Sequence, residues 1–157
     1  MIVFSMYILN KAGGLVLQRD FIGEKDAEFK NFRRPEGNQY LTLASTFHGL
    51  HAIAKQLSPQ AALSSISKNV QPSGIELVTL STTQILCFTS PTLVKFFILL
   101  QASDKKEIEK SKLGQRVYEL YADYVCKNPF YEMDQPIQCK LFDDKLSELM
   151  KEISQQK

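Results

Sequence analysis

The sequence predicts an α+β fold: a five-stranded antiparallel sheet flanked by helices, in the order ββαβββαα. Three observations predict it. Two runs, Ile2 to Leu9 and Leu93 to Leu100, are almost continuously apolar, as strands covered on both faces are. Short polar or glycine-bearing breaks separate the strand-like runs, at the spacing of antiparallel reversals. Apolar residues then recur at three- and four-residue steps in three longer segments, the period of amphipathic helices.

Taken in order, Ile2–Leu9 forms the first strand near the sheet centre, and Lys11-Ala12-Gly13-Gly14 supplies positive-φ residues for a tight reversal. Leu15, Leu17 and Phe21 alternate with Val16 and Asp20 on the returning strand. From Gly23 to Asn38 the chain holds Lys25, Lys30, Arg33, Arg34, Pro35 and Gly37 with few aliphatics, and reads as an exposed connection. Leu43, Phe47, Leu50, Ala54 and Leu57 predict a helix from Gln39 to Gln56 with that stripe towards the core, ended by Ser58-Pro59. Residues Gln60 to Pro72 read as a loop with a short turn at Ala61 to Ser65. Strands over Ile75–Ser81, Gln84–Thr89 and Leu93–Leu100 follow as a meander, the last beside strand one. Leu113, Val117, Leu120, Tyr121 and Tyr124 mark a second helix, running from Asp104 until Asn128-Pro129 stops it. Phe142, Leu146, Leu149, Met150 and Ile153 mark a third. At 157 residues the chain suits one core, so residues 1–157 are expected to form one domain.

Nineteen Lys and Arg against seventeen Asp and Glu leave a net charge of +2, which shows no nucleic-acid footprint. The lysines at Lys105, Lys106, Lys110 and Lys112 are interleaved with Asp104, Glu107 and Glu109, which blunts a phosphate-binding reading. Cys87, Cys126 and Cys139 are odd in number and widely spaced, so they predict reduced thiols and a cytosolic address. The apolar N-terminus reads as a buried strand rather than a signal peptide, and no segment reaches the ~18 apolar residues of a membrane span. Any membrane association is therefore expected to run through partners.

Reactive constellations are scarce. His48 and His51 stand three apart on the first helix but have no third ligand nearby, so packing is the expected role and no metal is assigned. Cys87 lies in an apolar strand where its thiol pKa should rise, which makes a Cys87–His48 nucleophile-base pair unpromising. The Lys11–Gly14 run joins strand to strand and lacks the P-loop spacing, so its glycines serve the turn. Asp143 and Asp144 sit where the third helix begins and complement its dipole. No catalytic residue and no cofactor follow from these patterns.

The most distinctive run is Val117–Tyr124, leading into Lys127-Asn128-Pro129-Phe130-Tyr131-Glu132-Met133. Three tyrosines on a helix before a proline-broken aromatic loop are consistent with an interface, or with a plug that covers the sheet edge. Here the sequence resembles the synbindin family of subunits of TRAPP, the multisubunit transport-protein-particle tether, a longin and profilin-like fold. The resemblance rests on NKAGGLVLQRDF at Asn10–Phe21, LTLASTFHGLHAIAKQLSP at Leu41–Pro59, KFF at Lys95–Phe97 and YELYADYVCKNPFYEMDQPI at Tyr118–Ile137. One departure stands out: where relatives carry Thr-Gly before the aliphatic residue and the lysine, this chain has Thr92-Leu93.

The resemblance implies a non-catalytic subunit that pairs with a second longin subunit and with α/β TRAPP subunits. Their assembly is expected to act as a guanine-nucleotide exchange factor for the Rab-type GTPase of endoplasmic reticulum-to-Golgi transport, peripheral on the membranes of both compartments. Exchange of this kind needs only a surface that favours the nucleotide-free GTPase. The expected partner surfaces are the first helix with the opening hairpin, through Ser45, Thr46, Gly49 and Lys55, and the loop Lys127, Asn128, Pro129, Phe130, Tyr131 and Met133. A coat-adaptor small subunit or a SNARE-type longin regulator shares the architecture. A SNARE needs a heptad segment and an anchor after this domain, and an adaptor does not share the quoted motifs.

Overall fold

A computed structural model describes residues 2–22, 36–57, 74–102 and 107–155. Its elements are β1 (Val3–Leu9), β2 (Leu15–Asp20), α1 (Gln39–Leu57), β3 (Leu77–Thr79), β4 (Thr83–Thr89), β5 (Lys95–Gln101), α2 (Glu107–Tyr121), a π-helical turn (Ala122–Cys126) and α3 (Lys140–Gln155). The five strands form one antiparallel sheet in the order β2-β1-β5-β4-β3. This is the longin-like ββαβββαα arrangement expected above. The two most apolar runs, β1 and β5, lie side by side in its middle, because only central strands bury both faces.

Alternation along the central strands divides the core. Tyr7, Leu9, Phe97 and Cys87 point to one face and meet Ala44 and Phe47 of α1. Met6, Ile8, Phe96, Ile98 and Leu100 point to the other and meet Leu113, Val117 and Tyr121 of α2 and Phe142, Leu146 and Met150 of α3. All five apolar positions expected on the third helix, Phe142, Leu146, Leu149, Met150 and Ile153, are buried. On α2, Leu113, Val117 and Tyr121 are buried and Leu120 packs partly against them.

Three expectations need correction. β3 is shorter than Ile75–Ser81, because the Ile75 N–H leaves the ladder to bond the His51 ring at 3.2 Å, and Ser81-Thr82 form the turn closed by Leu80 N–H to Thr83 O at 2.8 Å. β5 starts at Lys95 rather than Leu93, because Leu93 occupies the left-handed region (φ 65°) inside a turn closed by Ser90 N–H to Val94 O at 2.8 Å. The stripe on α1 is also rotated. Ala44, Phe47 and His51 are buried, whereas Leu43, Leu50 and Leu57 are exposed. The connection at 23–35, the lysines at 105 and 106, and the loop at 60–72 with its turn at 61–65 lie outside the described residues, as does the 58–59 stop.

Candidate functional site

α1 begins where Gly37, with φ 48°, turns the chain, and the Gln39 side chain reaches back to accept the Glu36 N–H at 3.1 Å. Its inner face is set by aromatic packing. The Tyr40 hydroxyl donates to Asp20 of β2 at 3.0 Å. Phe47 stacks on Phe97 at 4.5 Å, and Phe97 stacks on Tyr7 at 4.5 Å. The small Ala44 lets the helix axis approach the sheet between these rings.

His48 and His51 close the same end. The His48 ring lies where a Cβ on Gly13 would sit, 2.7 Å from its nearest ring atom, so the turn glycine (φ 90°) serves packing as well as backbone geometry. His51 is buried, accepts the Ile75 N–H through Nδ1, and lies 3.8 Å from the Cys87 thiol. Cys87 therefore stands beside His51 rather than beside the His48 named from sequence. Burial pushes the thiol up to about 12, and burial, with Lys55, Lys95 and His48 nearby, lowers His51 to about 4. The pair rests as thiol and neutral imidazole, the reverse of an activated nucleophile and base.

The outer face of α1 carries a different chemistry. Leu50 is 52% exposed, Ile53 54% and Leu57 78%, and with Leu43 they form an aliphatic surface along the helix. Leu43, Leu50 and Leu57 are one heptad apart, with Ile53 between the last two, the spacing of a helix-docking seam. Ser45, Thr46, Gly49 and Ala52 are exposed among them, and Lys55, half-buried towards Lys95, is the one formally charged side chain from Gln39 to Leu57. A Cβ added at Gly49 would meet nothing within 4 Å among the described residues, so their packing gives no reason for glycine there. Ser45, Thr46, Gly49 and Lys55 lie on this face as expected, whereas the leucines expected in the core are exposed on it. The signal that identifies this face was the long run without charge.

The second surface is built by the end of α2. The Lys127 N–H bonds Ala122 O at 3.2 Å across a π-helical turn, and Pro129 then bars further helix. The Asn128 side chain accepts the Phe130 N–H at 3.0 Å, Asn128 O accepts the Tyr131 N–H at 3.1 Å, and the Tyr131 hydroxyl donates to Gln135 O at 3.1 Å. Lys127 is paired with Asp123. These bonds fix a loop whose tip leaves Phe130 92% and Met133 78% exposed. Tyr131 and Met133 also wall a cleft of about 110 Å³, floored by Val16, Val94 and Tyr121 and rimmed by Lys11. The two candidate surfaces come from separate elements, α1 and the loop that follows α2.

The chain matches the Sybindin-like family over residues 3–153. The chain belongs to that family. It is 42% identical over 150 residues to "Trafficking protein particle complex subunit 4" of Dictyostelium discoideum, across 96% of this chain and 97% of that protein. Proteins with the same name match over 117 residues, 39% identical in Bos taurus and 38% in Homo sapiens. That region is 73% of this sybindin-like chain and 48% of the mammalian proteins, so the chain spans about half of their length. Among the described residues no group of three His, Cys, Asp or Glu is placed to hold a metal, and no helix is long and apolar enough to cross a membrane.

Proposed function

We propose that residues 1–157 act as a single longin-like, non-catalytic core subunit of a TRAPP complex. The chain contributes to the exchange platform for the Rab-type GTPase of endoplasmic reticulum-to-Golgi transport, from the cytoplasmic side of those membranes. The observation that carries the reading is the exposed, uncharged aliphatic face of α1, with Leu50, Ile53 and Leu57 held in water. A helix face of this kind is the composition of an interface core, depleted of charge and rich in large apolar groups. The relatives named as subunits of a trafficking protein particle complex supply the kind of partner.

Ser45, Thr46, Gly49 and Lys55, with the hairpin around Lys11, belong in this reading to the platform shared with a second longin subunit and the GTPase. Lys127, Asn128, Pro129, Phe130, Tyr131 and Met133 belong to the anchor for a neighbouring α/β subunit. The experiment is co-purification of the tagged chain with the complex's subunits, followed by nucleotide release from the Rab-type GTPase. Leu50→Glu and Lys55→Glu are expected to lose the longin partner, and Phe130→Ala the other neighbour. Assembly and exchange at wild-type level in all three variants overturn the proposal.

A further inference from the structure

Three reversals meet at one end of the molecule. The Asn10–Gly14 turn between β1 and β2, the Ser90–Val94 turn between β4 and β5, and the loop after the π-helical turn together line one cleft of about 110 Å³. Both non-glycine residues with positive φ among the described residues stand here. Leu93 (65°) lies between the lining residues Thr92 and Val94, and Asp134 (67°) belongs to the lining itself. Backbone held in so sparsely populated a region collects at ligand clamps, where the surrounding structure keeps it in place.

The walls differ in chemistry. Val16, Val94 and Tyr121 give an apolar floor, in which Val16 and Tyr121 are buried. On the hairpin side the Asn10 carbonyl oxygen accepts the Gly14 N–H at 2.7 Å, which leaves the Asn10 NH2 group and the Lys11 ammonium as donors at the rim. On the loop side Asp134 supplies a carboxylate, and among the described residues neither Lys11 nor Asp134 is in an ion pair.

This set matches the end of a polypeptide. A terminal carboxylate suits Lys11 and Asn10, the N–H of the last residue suits Asp134, and an apolar side chain suits the floor. An internal peptide segment brings no backbone anion to Lys11. A free amino acid brings the same groups but covers nothing beyond the cleft, where Met133 and Phe130 are 78% and 92% exposed. The residues that precede a chain end lie across such a surface and bury it.

We infer that this cleft captures the C-terminal residue of a partner polypeptide, with its carboxylate on Lys11 and Asn10 and an apolar side chain on Val16, Val94 and Tyr121. The inference rests on the docking reading of the 127–133 loop and adds which part of a partner that end of the molecule receives.

The probe is a hexapeptide of glycine and serine that ends in leucine with a free carboxylate, titrated to ~1 mM against the full chain while backbone amide shifts are followed. Saturating shifts are expected at Lys11, Val94 and Asp134. Binding should be at least tenfold weaker for the amidated peptide, for the same peptide ending in glycine, and for Lys11→Glu, whose site is an exposed turn that tolerates the change. Lys55→Glu, on α1, should bind the peptide like wild type. No shifts with wild type, equal binding of acid and amide, or undiminished binding by Lys11→Glu overturns the inference, and equally tight binding of free leucine overturns the assignment of the occupant. The loop reading is decided separately. Loss of the neighbouring subunit in Phe130→Ala upholds it even when the peptide fails to bind, and undisturbed assembly of Phe130→Ala overturns it whether or not the peptide binds.

Discussion

Leu93 and His51 each depart from what their surroundings favour. Leu93 holds φ 65°, a region where a Cβ costs roughly 1–2 kcal/mol. The resemblance places glycine at this point of the turn in relatives, and the turn's bonds, Leu93 N–H to Ser90 O at 2.9 Å and Ser90 N–H to Val94 O at 2.8 Å, do not involve the leucine side chain. Leu93→Gly should therefore raise stability by about 0.5 kcal/mol after glycine's larger unfolded-state entropy is subtracted, read as a higher urea midpoint. His51 carries the opposite lesson. Its folded pKa of about 4 lies below the ordinary 6.5, so the unfolded chain binds more protons between those values. Its contribution is complete above pH 6.5 and declines as pH falls towards 4, by at most about 3 kcal/mol. Denaturant midpoints at pH 7.5 and 4.5 should converge more in His51→Leu than in wild type. An equal drop in both would place the titration elsewhere.

Among the elements, α1 shows what the sequence reveals and what it hides. The central strands were legible because VFSMYIL and KFFILLQ have no polar face to offer water, and α3 because one apolar stripe stood against Asp, Glu and Lys. α1 offered two apolar rows, Leu43-Phe47-Leu50-Ala54-Leu57 and Tyr40-Ala44-Phe47-His51, and periodicity alone favoured the more aliphatic. The other row faces the sheet because Tyr40 and Phe47 meet the rings of Tyr7 and Phe97 while Ala44 admits close approach. That assignment makes a two-sided prediction. Phe47→Ala should cost about 3–4 kcal/mol of stability, whereas Leu50→Glu should change it by less than about 0.5 kcal/mol. Gly49→Ala should stabilise the isolated chain by about 1 kcal/mol, since a mid-helix glycine with open space gains only helix propensity. The 127–133 loop was legible as residues and not as geometry, because Phe130 exposure depends on bonds from Asn128 and Tyr131 that composition cannot specify.

At the scale of the whole molecule, the two layers on the sheet are unequal among the described residues. One face is covered by α2, the π-helical turn and α3, whose buried side chains include Leu113, Val117, Tyr121, Val125, Phe142, Leu146 and Met150. The other is covered by α1, which buries Ala44, Phe47 and His51. Elements with few buried contacts open locally, well below the free energy of global unfolding, while strands enclosed on every side exchange only when the chain unfolds. Amide exchange of the isolated protein should therefore be slowest in β1 and β5, faster in α1, and fastest among the strands in the three-residue β3. Binding of the partner to the outer face of α1 should slow α1 far more than β1 or β5, because it adds a second packed side to the element that lacks one. If α1 amides in the isolated chain exchange as slowly as those of β5, the helix is already fully anchored and the exposed Leu43–Leu57 row is not a face waiting for cover.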